Sequence, residues 1–202
     1  TAQLPTPTLP PAATPTPGAY VPIQAEVVFD NYLLRSGPGR MFETIGMFDI
    51  GTKVTLLGRE PGNNWVLVQT PNNLSGWMNV VGLTMIGDVT PLPIFKVTNA
   101  QVLHGHVWTV DNKPATKIGV SISSPDNSSP SREDVAITNS QGEWYLYLPL
   151  SYAGNWTVGT NSYSEDSSAV DANKNIIGNW PSAQLITLPM AADVNIEFAF
   201  QR

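Results

Sequence analysis

The chain of 202 residues carries a net charge of −6 with 13% charged residues, so its polar surface must come mainly from Asn, Ser, Thr and Gln. Phosphate binding requires clustered Lys and Arg, and the ten in this chain are scattered, which excludes nucleic acid as a partner. The absence of cysteine excludes disulfides, thiolate nucleophiles and Cys-ligated metals. No stretch approaches the ~20 consecutive apolar residues that cross a bilayer, so we expect no membrane insertion by this chain.

Residues 1–23 form a segment rich in Thr and Pro. Proline lacks the amide donor and fixes φ, so this segment favours extended polyproline II over a helix or a central strand. We predict a semi-rigid tether, which either lifts a domain away from a membrane or cell wall or serves as an ordinary interdomain linker. Its prolines are Pro5, Pro7, Pro10, Pro11, Pro15, Pro17 and Pro22.

Residues 24–86 alternate short β-type runs with turn residues, a pattern that predicts a small barrel. Gly37, Gly39 and Gly51 lie in turns where we expect positive φ. The predicted strands are Ala25–Phe29, Tyr32–Arg35, Thr44–Phe48, Lys53–Arg59, Trp65–Gln69 and Gly76–Asn79. Period-two spacing predicts one buried face made by Val54, Leu56, Trp65, Leu67 and Trp77.

The same residues resemble the bacterial SH3 family. The resemblance is carried by Tyr32-Leu33-Leu34-Arg35-Ser36-Gly37-Pro38-Gly39, Ile45-Gly46, Gly51-Thr52-Lys53-Val54, Asn64-Trp65-Val66 and Gly76-Trp77-Met78. It implies that a cell-wall peptide or another extended ligand is recognised in a groove beside the Arg35–Gly39 loop. Tyr32, Arg35, Phe42 and Trp65 would line this groove. Such domains also act as spacers or as clamps on a neighbouring domain, so a structural role stays open.

Residues 87–97 are a second proline-punctuated segment, which we interpret as a linker, and residues 98–202 form a second domain. Short strands separated by Asn, Ser, Gly and Pro clusters indicate a β-sandwich there. The predicted strands are Val102–Val110, Ile118–Ser123, Val135–Thr138, Trp144–Leu148, Trp156–Thr160, Leu185–Leu188 and Val194–Phe200.

This second domain resembles the transthyretin-like sandwich known as the carboxypeptidase regulatory-like domain. The resemblance is carried by Gly105-His106-Val107, Asp111-Asn112-Lys113-Pro114-Ala115, Gly119-Val120-Ser121-Ile122, Thr138-Asn139-Ser140-Gln141-Gly142-Glu143-Trp144, Leu146-Tyr147-Leu148-Pro149 and Gly154-Asn155-Trp156. The long polar stretch from Ser162 to Ser182 departs from the compact family pattern and leaves the C-terminal topology open.

Few residues offer catalytic or metal-binding chemistry. His104 and His106 point to the same face of a predicted strand, where they either approach a metal together or are plain surface histidines. The pairs Glu133-Asp134 and Glu165-Asp166 lie in apparent loops, as does Asp171. We interpret these acids as solvated surface, with a glycosidase pair as the alternative.

A calcium loop is the remaining metal candidate. Asp171, Asn173 and Asn175 place oxygen-bearing side chains at alternate positions, as calcium loops do. Ile176 stands where an EF-hand needs Gly, and Ser182 stands where it needs a bidentate Glu. The pattern excludes an EF-hand and leaves an irregular calcium loop open.

Aromatic residues raise the question of sugar binding, because exposed rings stack on sugars. Trp144 alternates with Tyr145 and Tyr147 on one strand, and we place Trp144 inside and the two tyrosines outside. Tyr145, Tyr147 and the loop residue Trp180 are the best exposed candidates for contact with a glycan.

The sequence thus predicts an all-β chain in which a tether precedes an SH3-like barrel and an immunoglobulin/transthyretin-like sandwich. We expect a non-catalytic module outside the cytoplasm, secreted or on the cell surface, that needs no cofactor. Its expected partner is a peptidoglycan peptide, a surface glycan or a neighbouring domain of a larger protein. Two alternatives stay open, namely an accessory region of a larger cell-wall hydrolase or peptidase, and a carbohydrate-binding module.

Overall fold

The protein is described here by a computed structural model that covers residues 23–85, 88–124, 133–162 and 179–201. Fifteen β-strands and one short 3-10 turn make up the regular structure of these residues, which confirms the all-β prediction. Within these residues, no helix is long and apolar enough to cross a membrane. Residues 1–22 of the predicted tether and the calcium candidates Asp171, Asn173 and Asn175 lie outside the described residues, as do Glu165 and Asp166. Ile23, which we assigned to the tether, is the first residue of a strand.

The first module is a single antiparallel sheet of seven strands in the order β3-β2-β6-β5-β4-β1-β7. Its strands are β1 Ile23–Val27, β2 Tyr32–Arg35, β3 Thr44–Phe48, β4 Lys53–Arg59, β5 Trp65–Gln69, β6 Ser75–Asn79 and β7 Leu83–Met85, with the 3-10 turn at Val80–Gly82. Strand β7 was not predicted, and it pairs with β1 so that both ends of the module meet. Val54 and Leu56 are buried in its core, as predicted.

In β5 and β6 the prediction is partly right, because Trp65 and Trp77 are buried but do not belong to the core of the first module. Val66 and Val68 enter the core, while Trp65 and Leu67 lie on the opposite face of β5. Trp77 pairs with Leu67 across the strands and shares that outer face. The run Trp-Val-Leu-Val is apolar at every position, so alternation alone could not decide which set faces inward. Trp65 is nevertheless 5% exposed, because other parts of the protein cover it.

The connection between the modules packs on the first module. Val89 and Leu92 join its hydrophobic core. The amide of Arg59 in β4 donates to the Pro93 carbonyl at 3.0 Å, and the amide of Phe95 donates back to Arg59 at 2.9 Å. The segment predicted as a linker is therefore held against β4 over residues 88–95.

The second module is a sandwich of two sheets around one core. One sheet has the order β10-β9-β12-β13, and the other has the order β11-β8-β14, with β15 also paired to β8. The strands are β8 Ala100–Trp108, β9 Ile118–Ser123, β10 Glu133–Ile137, β11 Glu143–Pro149, β12 Gly154–Ser162, β13 Gln184–Leu188, β14 Val194–Asn195 and β15 Phe198–Ala199. Trp144 and Trp156, one from each sheet, are among the largest side chains in this core.

The last predicted strand is interrupted. Strands β14 and β15 each pair in parallel with β8, and Ile196 lies between them. The Ile196 carbonyl passes so close to Gly105 that a Cβ atom there would lie 1.8 Å from the oxygen. Gly105 therefore permits the C-terminal chain to cross β8.

Candidate functional site

The two modules meet along the edge strand β10. There the side-chain amide of Asn64 makes the hydrogen bonds that the backbone of a neighbouring strand would make. The Asn64 Nδ2 donates to the Ile137 carbonyl at 3.0 Å, and the Ile137 amide donates to the Asn64 Oδ1 at 2.9 Å. This reciprocal pair is the pattern that two β-strands use. Asn64 thus fixes the first module against the edge of the second and covers backbone groups that would otherwise be unpaired.

Glu60 is a buried carboxylate beside this contact. Its oxygens accept hydrogen bonds from the backbone amides of Gly62 at 2.5 Å, Asn64 at 2.5 Å and Trp65 at 3.2 Å. The hydroxyl of Tyr147, from the second module, is hydrogen-bonded to the same carboxyl group. Burial raises the pKa of Glu60 to about 7, and the three amide donors act in the opposite direction.

A second buried carboxylate, Asp134, comes from the second module. It accepts the backbone amide of Arg40 at 2.8 Å and that of Val135 at 2.8 Å. Burial raises the pKa of Asp134 to about 6 against these hydrogen bonds and the nearby Arg40 and Arg35 charges. Our interpretation of Asp134 as solvated surface is therefore wrong, because it is 1% exposed and lies under the Arg40 loop. Glu133 is exposed, as expected.

The glycines of the Arg35–Gly39 loop serve close packing. Neither Gly37 nor Gly39 has the positive φ that we predicted, although Gly51 does, with φ of 85°. A Cβ atom on Gly39 would lie 2.7 Å from Asp134 Oδ2 of the second module. A Cβ atom on Gly37 would strike the ring of Phe42. The loop needs glycine because the second module and a phenyl ring approach its backbone.

A cleft with a volume of about 780 Å³ opens at this junction. It is lined by Asn31, Tyr32, Leu33, Arg35, Arg40, Gly62, Asn63, Asn64, Trp65, Asn79, Val80 and Val81 of the first module and by Lys117, Val135, Ile137, Thr138, Asn139 and Ser140 of the second. Both modules therefore form its walls, and the edge of β10 lies along one side.

Three of the four predicted groove residues line this cleft. The Tyr32 hydroxyl donates to the Asn79 carbonyl at 2.8 Å, which fixes the ring. The Arg35 Nη1 donates to the Phe42 carbonyl at 2.8 Å, and burial lowers the pKa of this guanidinium. Trp65 completes the set. Phe42 is not among the lining residues, because its ring is 9% exposed and packs under Gly37.

The other predicted aromatic contacts lie elsewhere. Tyr147 is on the outer side of its sheet, as expected, but it is 3% exposed because its hydroxyl bonds Glu60 of the first module. Trp180 is partly buried against the sandwich core, with its ring 4.8 Å from that of Phe200. The predicted exposure of Tyr147 is therefore wrong, whereas Trp180 keeps an intermediate exposure. Tyr145 is partly exposed, stacked on His104 with ring centroids 5.6 Å apart.

The two histidines occupy the outer face of β8, away from the cleft lining. His106 stacks on Trp108 at 5.1 Å and lies 3.3 Å from Glu197 and 3.8 Å from Glu143. The indole of Trp108 donates to Glu197 at 2.7 Å. No group of three or more His, Asp or Glu side chains that could hold a metal is found among the described residues.

Sequence reasoning missed the junction residues Glu60, Asn64 and Lys117. A signal was present in the run Glu60-Pro61-Gly62-Asn63-Asn64, where a glutamate begins a tight turn and can accept the turn amides. Lys117 gave no comparable signal, since its place at the cleft depends on how the two modules dock.

Comparison with known proteins identifies the first module. Residues 33–84 match the family model of the bacterial SH3 domain. This part of the chain is a bacterial SH3 domain. The SH3 domain supplies the first-module wall of the cleft apart from Asn31 and Tyr32, which immediately precede the matched residues. The transthyretin-like resemblance of the second module stays a prediction.

Solved structures give weaker similarities. One is BcpA, the major pilin subunit of Bacillus cereus, at 5% identity and a TM-score of 0.39, covering 90% of this chain and 60% of that one. Another is the Bacillus anthracis TIE protein, at 11% identity and a TM-score of 0.34, covering 91% of this chain and 35% of that one. The chain spans less than two thirds of either structure, and at these TM-scores neither supports a functional conclusion. No curated protein matches the chain.

Proposed function

We propose that this protein is a non-catalytic binding module of the bacterial surface or cell wall, and that its junction cleft holds an extended cell-wall peptide. The observation that carries the proposal is the position of Tyr32, Arg35 and Trp65 on the wall of the cleft. These are residues that the SH3 resemblance assigns to ligand recognition. A cleft of about 780 Å³ is in the size range of ligand sites.

The geometry favours binding over catalysis. Carboxylates with raised pKa values are typical of active sites, but Glu60 and Asp134 are 0% and 1% exposed and are occupied by amide donors. A substrate in the cleft would not reach them. Hydrolysis of muropeptides by the purified protein, with loss of activity in Glu60→Gln or Asp134→Asn, would overturn the non-catalytic assignment.

Sedimentation with purified, insoluble peptidoglycan tests the binding proposal. Ser140 is an exposed turn residue on the cleft wall, so Ser140→Trp fills the cleft without disturbing a core. Gln141 is exposed in the same turn and does not line the cleft, which makes Gln141→Trp the matched control. We expect the unchanged protein and Gln141→Trp to sediment with peptidoglycan and Ser140→Trp to stay in solution. Equal sedimentation of all three would refute a ligand site in the cleft, and failure of the unchanged protein to sediment would refute wall binding.

A structural role of the SH3 domain is the second candidate. The Asn64 contact with Ile137, the hydrogen bond between Glu60 and Tyr147, and the fit of Gly39 against Asp134 support a clamp on the neighbouring sandwich. This role predicts that the docked arrangement persists when no ligand is present. Absence of peptidoglycan binding, together with protection of the junction amides from hydrogen exchange, would favour it over the first.

A glycan-binding face is the third candidate. The stacked pairs His104–Tyr145 and His106–Trp108 lie on the outer side of β8 and β11. Rings beside carboxylates are suited to sugar hydroxyls. Binding on a glycan array that is lost in Trp108→Ala and kept in Ser140→Trp would assign sugar recognition to this face instead of the cleft.

A further inference from the structure

The cleft has an unusual charge for this protein. Arg35, Arg40 and Lys117 line it, and none of the described residues that line it is Asp or Glu, although the chain has 16 acidic residues and a net charge of −6. The buried Asp134 lies close to both arginines and offsets part of their charge. Lys117 comes from the second module, so the positive lining is assembled by docking. Charge complementarity favours an anionic group on the occupant.

Lys117 occupies a backbone conformation that does not suit lysine. Its φ is +57°, in the left-handed region that glycine and asparagine adopt more readily. The Lys117 amide donates to the Thr138 carbonyl at 3.1 Å, which holds this conformation beside the cleft. A non-glycine residue kept in such a conformation is strained, so its side chain is a candidate for function.

The cleft also presents partners for peptide groups. The reciprocal bonds between Asn64 and Ile137 show that the edge of β10 accepts an amide group. Val135, two residues earlier on this edge strand, also lines the cleft, but its amide is bonded to Asp134 Oδ1 at 2.8 Å and is not available to a ligand. Asn63 lines the cleft as well, and its Oδ1 is a buried acceptor without a hydrogen-bond partner among the described residues. A buried acceptor of this kind is destabilising until a donor reaches it.

We propose that the cleft binds an extended peptide that bears a side-chain carboxylate, with a ligand amide donating to Asn63 and the carboxylate placed between Arg40 and Lys117. The proposal rests on the cleft being the ligand site and adds the chemical class of the ligand. Amide partners favour a peptide over a non-peptide polyanion such as a polyphosphate, for which only the cations would be suited.

Two dye-labelled peptides test it, acetyl-Ala-Glu-Ala-Glu-Ala-amide and the otherwise identical peptide with Gln in place of Glu. One charge-assisted hydrogen bond changes affinity by a factor of about 10 to 100, so we expect the Glu peptide to bind at least about tenfold more tightly. In Lys117→Gly, most of that preference is expected to disappear while the unfolding temperature does not fall, because glycine suits the left-handed conformation. Lys113→Gln changes an exposed lysine outside the cleft and should keep the preference.

The outcomes separate this inference from the proposed function. Equal binding of both peptides, blocked by Ser140→Trp, would refute the carboxylate preference and leave the cleft as a peptide site. A preference that survives Lys117→Gly would refute the role of Lys117. Displacement of the Glu peptide by inorganic polyphosphate at equal charge concentration would show a site for any polyanion and overturn the peptide assignment. Binding of neither peptide overturns the inference, whatever peptidoglycan sedimentation shows.

Discussion

Replacing Asn64 by alanine tests whether the two modules dock as described. The substitution removes the Nδ2 bond to the Ile137 carbonyl at 3.0 Å and the bond from the Ile137 amide to Oδ1 at 2.9 Å. Asn64 is in neither hydrophobic core, so the packing within each module is expected to stay intact. The substitution also removes the bond from Nδ2 to the Gly62 carbonyl at 3.2 Å within the first module, so the loss is centred on the junction and the adjoining Glu60–Asn64 turn.

The magnitude follows from the two bonds. Each contributes about 1 kcal/mol net, and the Ile137 groups left unpaired at a half-buried edge are then hydrated only in part. We expect the junction to lose about 2 kcal/mol, which corresponds to roughly thirtyfold faster hydrogen exchange of the Ile137 amide, since 1.4 kcal/mol is a factor of ten.

Amide hydrogen exchange followed by NMR measures this directly. The Ile137 amide should exchange faster in Asn64→Ala, while amides of buried core residues such as Val120 and Val68 keep their rates. Asn99→Ala is the matched control, because Asn99 is exposed and far along the chain from the junction strands. An Ile137 amide that exchanges at the same rate in all three proteins would refute the docking contact.

Three further predictions concern single residues. Burial raises the pKa of Glu60 from 4.5 to about 7, so folding favours the protonated form of this carboxyl group. The free energy of unfolding should therefore be highest below pH 4.5 and should fall by about 3 kcal/mol as the pH rises through 7. An NMR titration of the Glu60 carboxyl carbon should have its midpoint near pH 7, and a midpoint below pH 4.5 would contradict this. Gly82→Ala places a Cβ atom 2.0 Å from the ring of Tyr32 and should weaken peptide binding by displacing that ring, as a binding titration would show, whereas unchanged affinity would exclude Tyr32 from the site. Gly105→Ala places a Cβ atom 1.8 Å from the Ile196 carbonyl and should lower the free energy of unfolding by about 3 kcal/mol or more, which urea unfolding would measure; an unchanged midpoint would contradict the parallel crossing of β8.

The strands were accessible to sequence reasoning because short apolar runs between turn residues are local signals. Strands β2, β3, β4, β5 and β9 have the predicted bounds. The sequence could not predict which side of β5 faces the core, since Trp65-Val66-Leu67-Val68 is apolar on both sides of the strand. The three-residue strand β7 and the two-residue strands β14 and β15 are too short for alternation to define, and their pairing depends on distant partners.

The candidate site was predicted in part. Tyr32, Arg35 and Trp65 came from the SH3 resemblance, and the structure brings them to one cleft. Tyr147 was assigned to solvent because alternation puts it on the outer face of its sheet, and Asp134 was assigned to solvent because it was placed in a loop, whereas it lies in strand β10. The other module covers both residues, and no local sequence pattern indicates how the two modules dock. The second wall of the cleft, including Lys117, could not be derived from the sequence for the same reason.

The central claim is that a ligand contacts both modules at once in the cleft. Titration of isotopically labelled protein with soluble peptidoglycan fragments, followed by amide chemical shifts, tests it most directly. We predict shift changes at Tyr32 and Arg35 on one wall together with changes at Thr138 and Asn139 on the other. Shift changes confined to one module, or an unchanged spectrum at saturating fragment concentration, would contradict the claim.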